Sequence, residues 1–152
     1  MKTMLDFIRR KSKVPTLPGK TRKGRPFEII LAALSMFYKL GKTEISQTEL
    51  HECIAEFQNN YGTLGYAYSA RFLYSMDLLS DLDNLIFNGY IHQYEYKYDG
   101  FLPNRYLALT SLGKGRGKVI ASLLTADVLS ILESSAKKTK QNYENRWQLW
   151  AR

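Results

Sequence analysis

Residues 68–88 read Tyr-Ser-Ala-Arg-Phe-Leu-Tyr-Ser-Met-Asp-Leu-Leu-Ser-Asp-Leu-Asp-Asn-Leu-Ile-Phe-Asn. Apolar side chains at 72, 76, 79, 82 and 86, with 73, 78 and 85 beside them, follow the three-and-four spacing of an amphipathic helix. Asn88-Gly89 stops it, because both residues tolerate the left-handed backbone of a helix end. One long helix over 68–88 is the expectation. Tyr90–Lys97 and Arg105–Thr110 then flank a loop carrying Asp99-Gly100, the pattern of a β-hairpin. The basic run Gly113-Lys114-Gly115-Arg116-Gly117-Lys118 reads as a glycine-rich turn.

Upstream, Pro26 suits a first helical turn, where its missing N–H costs nothing. Phe27–Leu40 is apolar over most of its surface and ends at Gly41, so it reads as a buried helix. Thr43-Glu44-Ile45 is able to add a small strand to the hairpin. Ser46-Gln47-Thr48-Glu49 has the spacing of a capping box. The helix it starts turns Leu50, Cys53, Ile54 and Phe57 inward and closes near Asn59-Asn60.

This order, with Thr-Glu-Ile-Ser-Gln-Thr-Glu-Leu at 43–50 and Leu109-Thr110 closing the hairpin, resembles the winged-helix DNA-binding superfamily. The resemblance implies a third helix that enters a groove and a hairpin that acts as the wing. The link at 59–66 departs from it, being about twice the three or four residues usual in a helix-turn-helix. The expected fold is mainly α with a small β-hairpin (α+β). A basic arm (1–26) precedes the winged-helix domain (27–124), and a long C-terminal helix (125–152) follows.

The 152 residues are 45% hydrophobic, enough for one packed core. No apolar run approaches the roughly 18 residues that cross a bilayer. The start lacks a signal peptide's apolar centre, and the single Cys53 permits no internal disulfide. Both features fit a cytoplasmic protein, with Cys53 as a buried, inert thiol.

The net charge of +8 is concentrated. Residues 1–26 hold nine Lys or Arg against Asp6 alone, while the other 126 hold 13 basic and 13 acidic side chains. Such an arm implies a polyanionic partner. An anionic membrane surface is the weaker candidate, because the apolar side of residues 1–13 is small and Asp6 interrupts it. Within the arm, Arg22-Lys23-Gly24-Arg25-Pro26 resembles the core of an AT-hook, whose Gly-Arg-Pro centre lies along an A·T minor groove.

Catalytic patterns fail on spacing. His51-Glu52 would need histidine at 55 for a zinc-protease helix, and Ala55 stands there. One cysteine and two histidines assemble no ordinary zinc cluster. Neither His51 nor His92 lies near a recognisable nucleophile elbow. The 113–118 run is no phosphate loop: Leu112 and Val119 occupy positions that need glycine and Ser or Thr. The expectation is a non-enzyme without cofactor or metal.

Double-stranded DNA is the expected partner. Arg22, Lys23 and Arg25 go to the minor groove. Tyr66, Tyr68, Ser69, Arg71 and Tyr74, at the start of the long helix, go to the major groove. Lys97, Arg105, Lys114, Arg116 and Lys118 go to phosphates. Against this, Asp77, Asp81 and Asp83 give the later half of that helix the wrong charge. The alternative is a winged-helix adaptor whose acidic helix face and tyrosine-rich hairpin bind another protein. Thr125 caps a last helix whose stripe of Leu129, Leu132, Tyr143, Trp147 and Trp150 resembles a coiled-coil seam. It packs either on the body or on the same helix of a second copy, and the favoured expectation is a homodimer.

Overall fold

The computed structural model describes residues 24–62, 64–69, 74–96 and 104–150, excepting the side chains at 96, 104 and 147–150. Among these the chain is mainly helical with a small antiparallel sheet.

Helix α1 (Pro26–Lys39) is the centre of the body. Pro26 opens it and the Arg25 backbone N–H donates to Glu28 Oε1 at 2.7 Å. Leu40 caps the other end and Gly41 follows at φ +91°, a conformation that favours glycine. Ile29, Ile30, Leu31, Ala33 and Phe37 are fully buried. A helix this apolar needs cover on every side, and the remaining elements supply it.

Strand β1 (Ile45–Ser46) leads into helix α2 (Gln47–Tyr61). The capping box forms as its spacing demands: Glu49 N–H donates to Ser46 Oγ at 3.1 Å and Ser46 N–H to Glu49 Oε1 at 3.0 Å. Lys42 Nζ sits 3.1 Å from Glu49 Oε2 and balances the buried carboxylate. Ser46→Ala is expected to lower stability by about 1 kcal/mol, read as a smaller urea midpoint at unchanged slope. Leu50, Cys53, Ile54 and Phe57 all face the core, and burial pushes the Cys53 thiol well above its ordinary pKa.

Helix α3 covers Met76–Phe87, not 68–88. The core face of this helix is Leu78, Leu82 and Leu85, with Ile86 packed beside them, whereas Met76 of the expected apolar series is exposed. Ser75 takes the N-cap, its Oγ accepting the Leu78 N–H at 3.3 Å. Residues 64–69 and 74–75 are non-helical. Gln58 fastens this connection to α2: its Oε1 accepts from the Leu64 and Tyr66 N–H groups at 3.1 and 3.2 Å, and its Nε2 donates to the Tyr66 carbonyl. Asn88 and Gly89 end α3 as expected.

Strands β2 (Ile91–Tyr96) and β3 (Asn104–Leu109) form the hairpin, with Ile91 opposite Leu109 and Glu95 opposite Arg105. β1 joins the far side of β3, Ile45 opposite Leu107, so the order is β1–β3–β2. Ile91, Leu107 and Leu109 face the core, whereas Gln93, Tyr94 and Glu95 are exposed.

The glycine-rich run is a helix rather than a turn: α4 spans Ser111–Leu123, with Thr110 Oγ1 accepting the Gly113 N–H at 3.0 Å. Glycine costs about 1 kcal/mol in a helix interior. Here two of the three glycines permit close packing. A Cβ on Gly113 would overlap the Tyr90 carbonyl, and one on Gly117 would overlap Ser35 Oγ of α1. Gly115 points into open space.

Helix α5 (Ala126–Trp150) lies along α2 and α1, with Val128 N–H donating to Thr125 Oγ1 at 3.3 Å. Its stripe is taken up within the chain. Leu132 is fully buried and Leu129 packs on the same core. Tyr143 lies between Lys42 (4.9 Å) and Arg146, and Arg146 forms a two-point bond to Glu52. The expected dimer seam is thus an intrachain contact as far as Tyr143, and the Trp147 and Trp150 side chains lie outside the described set. No helix among the described residues is long and apolar enough to cross a membrane.

Candidate nucleic-acid interface

The surface expected to read a groove breaks up in three dimensions. Tyr66 is buried and donates its hydroxyl to Asp81 Oδ2 at 2.6 Å; burial, and then the Asp81 carboxylate, raise its pKa. The Tyr68 hydroxyl is buried too, and desolvation raises its pKa. Tyr74 stacks on His51 at 4.9 Å between ring centroids, and Tyr68 meets the same imidazole edge-on at 6.4 Å. Ser69 N–H donates to the Tyr74 carbonyl at 3.1 Å. These residues pin the connection between α2 and α3; they do not form one face of a helix. Arg71, Lys97, Arg22 and Lys23 lie outside the described residues. Arg25 is the N-cap of α1.

His51 is the hub that sequence reasoning missed, having been tested only as a metal ligand or base. It is 1% exposed, its Nδ1 accepts the Ser75 N–H at 3.3 Å, and desolvation pushes its pKa down to about 4. The acceptor role of Nδ1 requires the neutral ring. Between pH 6.5 and about 4 the unfolded chain therefore binds a proton that the folded chain refuses. Stability should fall as pH drops through that window, by at most about 1.4 kcal/mol per unit, and be indifferent to His51 above it. Urea midpoints of the wild type and His51→Asn at pH 7, 5.5 and 4.5 check this. Parallel pH curves would exclude it.

The exposed side of α3 carries Met76, Asp77, Ser80, Asp83, Asn84 and Phe87, with no Lys or Arg anywhere on the helix. Met76 is 68% and Phe87 89% exposed, and they stand at opposite ends of the helix. On the hairpin, Arg105 faces Glu95 at 3.6 Å and is largely compensated.

Cations do converge elsewhere, between α1 and α4. Lys114 Nζ lies 4.7 Å above the Tyr38 ring. Lys39 and Lys118 flank it around an open groove of about 620 Å³. On a neighbouring side of α4, Arg116 stacks on Tyr90 and donates to its hydroxyl at 3.1 Å. Lys39 and Tyr38 had no sequence signal: on a one-dimensional reading they are merely the end of a core helix. Among the described residues no three His, Cys, Asp or Glu side chains cluster to hold a metal.

No family model, curated protein or solved structure matches the chain.

Proposed function

We propose that the protein binds duplex DNA as a winged-helix-type factor, a transcriptional regulator or an architectural or mobile-element component, with its affinity supplied mainly by the basic arm. The observation that carries the reading is the location of charge: the whole excess of +8 resides in residues 1–26, ahead of a charge-balanced body. Such an arm neutralises phosphates and releases counterions without needing a groove-reading helix. Support for the winged-helix part comes from the order α1–β1–α2–α3–β2–β3 and from the short β1 pairing with β3 rather than β2. The acids of α3 argue that this helix does not lie lengthwise in the major groove, where they would meet phosphates. Binding is then governed by charge more than by base contacts.

The second reading, a protein adaptor, is favoured by one specific feature: Met76 and Phe87 exposed on either side of Asp77 and Asp83. Duplex affinity measured over a salt series, for the full chain and for a chain lacking residues 1–23, tests the proposal. Binding that is weak and insensitive to salt in the full chain sinks the DNA reading and leaves the adaptor.

A further inference from the structure

The groove between α1 and α4 has a composition that DNA binding does not explain. Its floor is apolar and small: Leu109 from β3, Gly115, Gly117 and Ala121 from α4, with the Tyr38 ring as one wall. Its rim is cationic, formed by Lys39, Lys114 and Lys118, and no acid among the described residues lines it. Neither Lys39 nor Lys118 makes an ion pair among the described residues, and Lys114 is held only over Tyr38. Glu133, which feels the charge of Lys39, is itself paired with Lys137 at 3.0 Å.

The shape arises from the glycines. Gly117 lets α4 approach Ser35 closely, and Gly115 adds no side chain where it lines the groove. A volume of about 620 Å³ lies in the range that takes a small molecule. An α-helix, roughly 10–12 Å across with its side chains, needs a longer and wider trough. The basic arm of this chain has the wrong sign to settle against three lysines.

We propose that this groove binds a small anionic amphiphile, an aliphatic chain lying on the Leu109–Ala121 floor with its carboxylate among Lys39, Lys114 and Lys118. The chain removes apolar floor from water while the head group gains charge-assisted hydrogen bonds at the rim. This site is independent of the arm and of the DNA reading.

Calorimetry with dodecanoate on the full-length protein tests it. The expected result is saturable one-to-one binding, with the neutral dodecanol at least about tenfold weaker for want of the head-group contacts. The double variant Lys39→Gln, Lys118→Gln should also lose about tenfold, since each exposed pairing is worth a few-fold. Gly115→Leu should weaken binding by setting a bulky side chain at a residue that lines the groove. It should fold normally, because its side chain enters open space and leucine is a better helix former than glycine. The proposal is overturned by no binding of dodecanoate, by several equivalents bound, by equal affinity for dodecanol, or by a Gly115→Leu protein that binds unchanged. Capture of an acidic helical peptide in the groove without dodecanoate binding also overturns it.

Discussion

Raising salt from 50 to 200 mM is expected to weaken duplex DNA binding by about 10³- to 10⁵-fold, the loss that follows when roughly six to ten phosphates are neutralised. Residues 1–23 carry eight of the 22 Lys and Arg, so deleting them should flatten the plot of log affinity against log salt by a slope of up to about 7. The cut at 23 matters. Arg25 and Pro26 start α1, and a longer deletion would confound loss of charge with loss of the helix end. What then remains is nearly charge-balanced and should support only a shallow slope. Full-chain binding with the steep slope, lost together with residues 1–23, is the expected pair of outcomes. A steep slope that survives the deletion would move the interface onto the body.

Gly113→Ala should be the most damaging of the methyl additions at the three α4 glycines, at about 3 kcal/mol, near the upper end for overpacking. The new Cβ would strike the Tyr90 carbonyl, a backbone group already accepting from the Thr110 N–H at 3.1 Å and from Thr110 Oγ1 at 3.2 Å. Such a group has no rotamer to escape into. The melting midpoint should drop by about 6–12 °C for a chain of this size. Gly117→Ala should cost less, because the obstacle is the Ser35 hydroxyl, a side-chain end that can turn away. Gly115→Ala meets nothing and should be neutral or stabilising by up to about 1 kcal/mol. Thermal melts of the three variants give the ranking. Equal effects at 113 and 115 would refute the packing account of α4.

Features set by a few neighbouring residues were legible in the chain. The Ser46–Glu49 capping box, Pro26 at the head of α1, the Asn88-Gly89 stop and Thr125 before α5 each depend on hydrogen bonds spanning at most five residues. The hairpin followed from β-rich runs around Asp99-Gly100, and the core face of α2 from its spacing. Local chemistry also fixed where the charge lies, since that needs no fold at all.

Other features rest on groups far apart in sequence. Whether residues 66–69 and 74–75 join α3 depends on Gln58 and His51, which capture the backbone of Tyr66 and Ser75 from 8 and 24 positions away. Whether 113–118 is a turn or a helix depends on Tyr90 and Ser35, which leave no room for a side chain at two of the three glycines. Whether the α5 stripe faces a second copy depends on α1 and α2 having reached it first. Helix propensity and spacing are blind to such partners, because an energy of a few kcal/mol from packing outweighs the tenths contributed by local preference. The lysine-rimmed groove belongs to the same class: its walls come from 35–39, 109 and 114–121, and only folding brings them together.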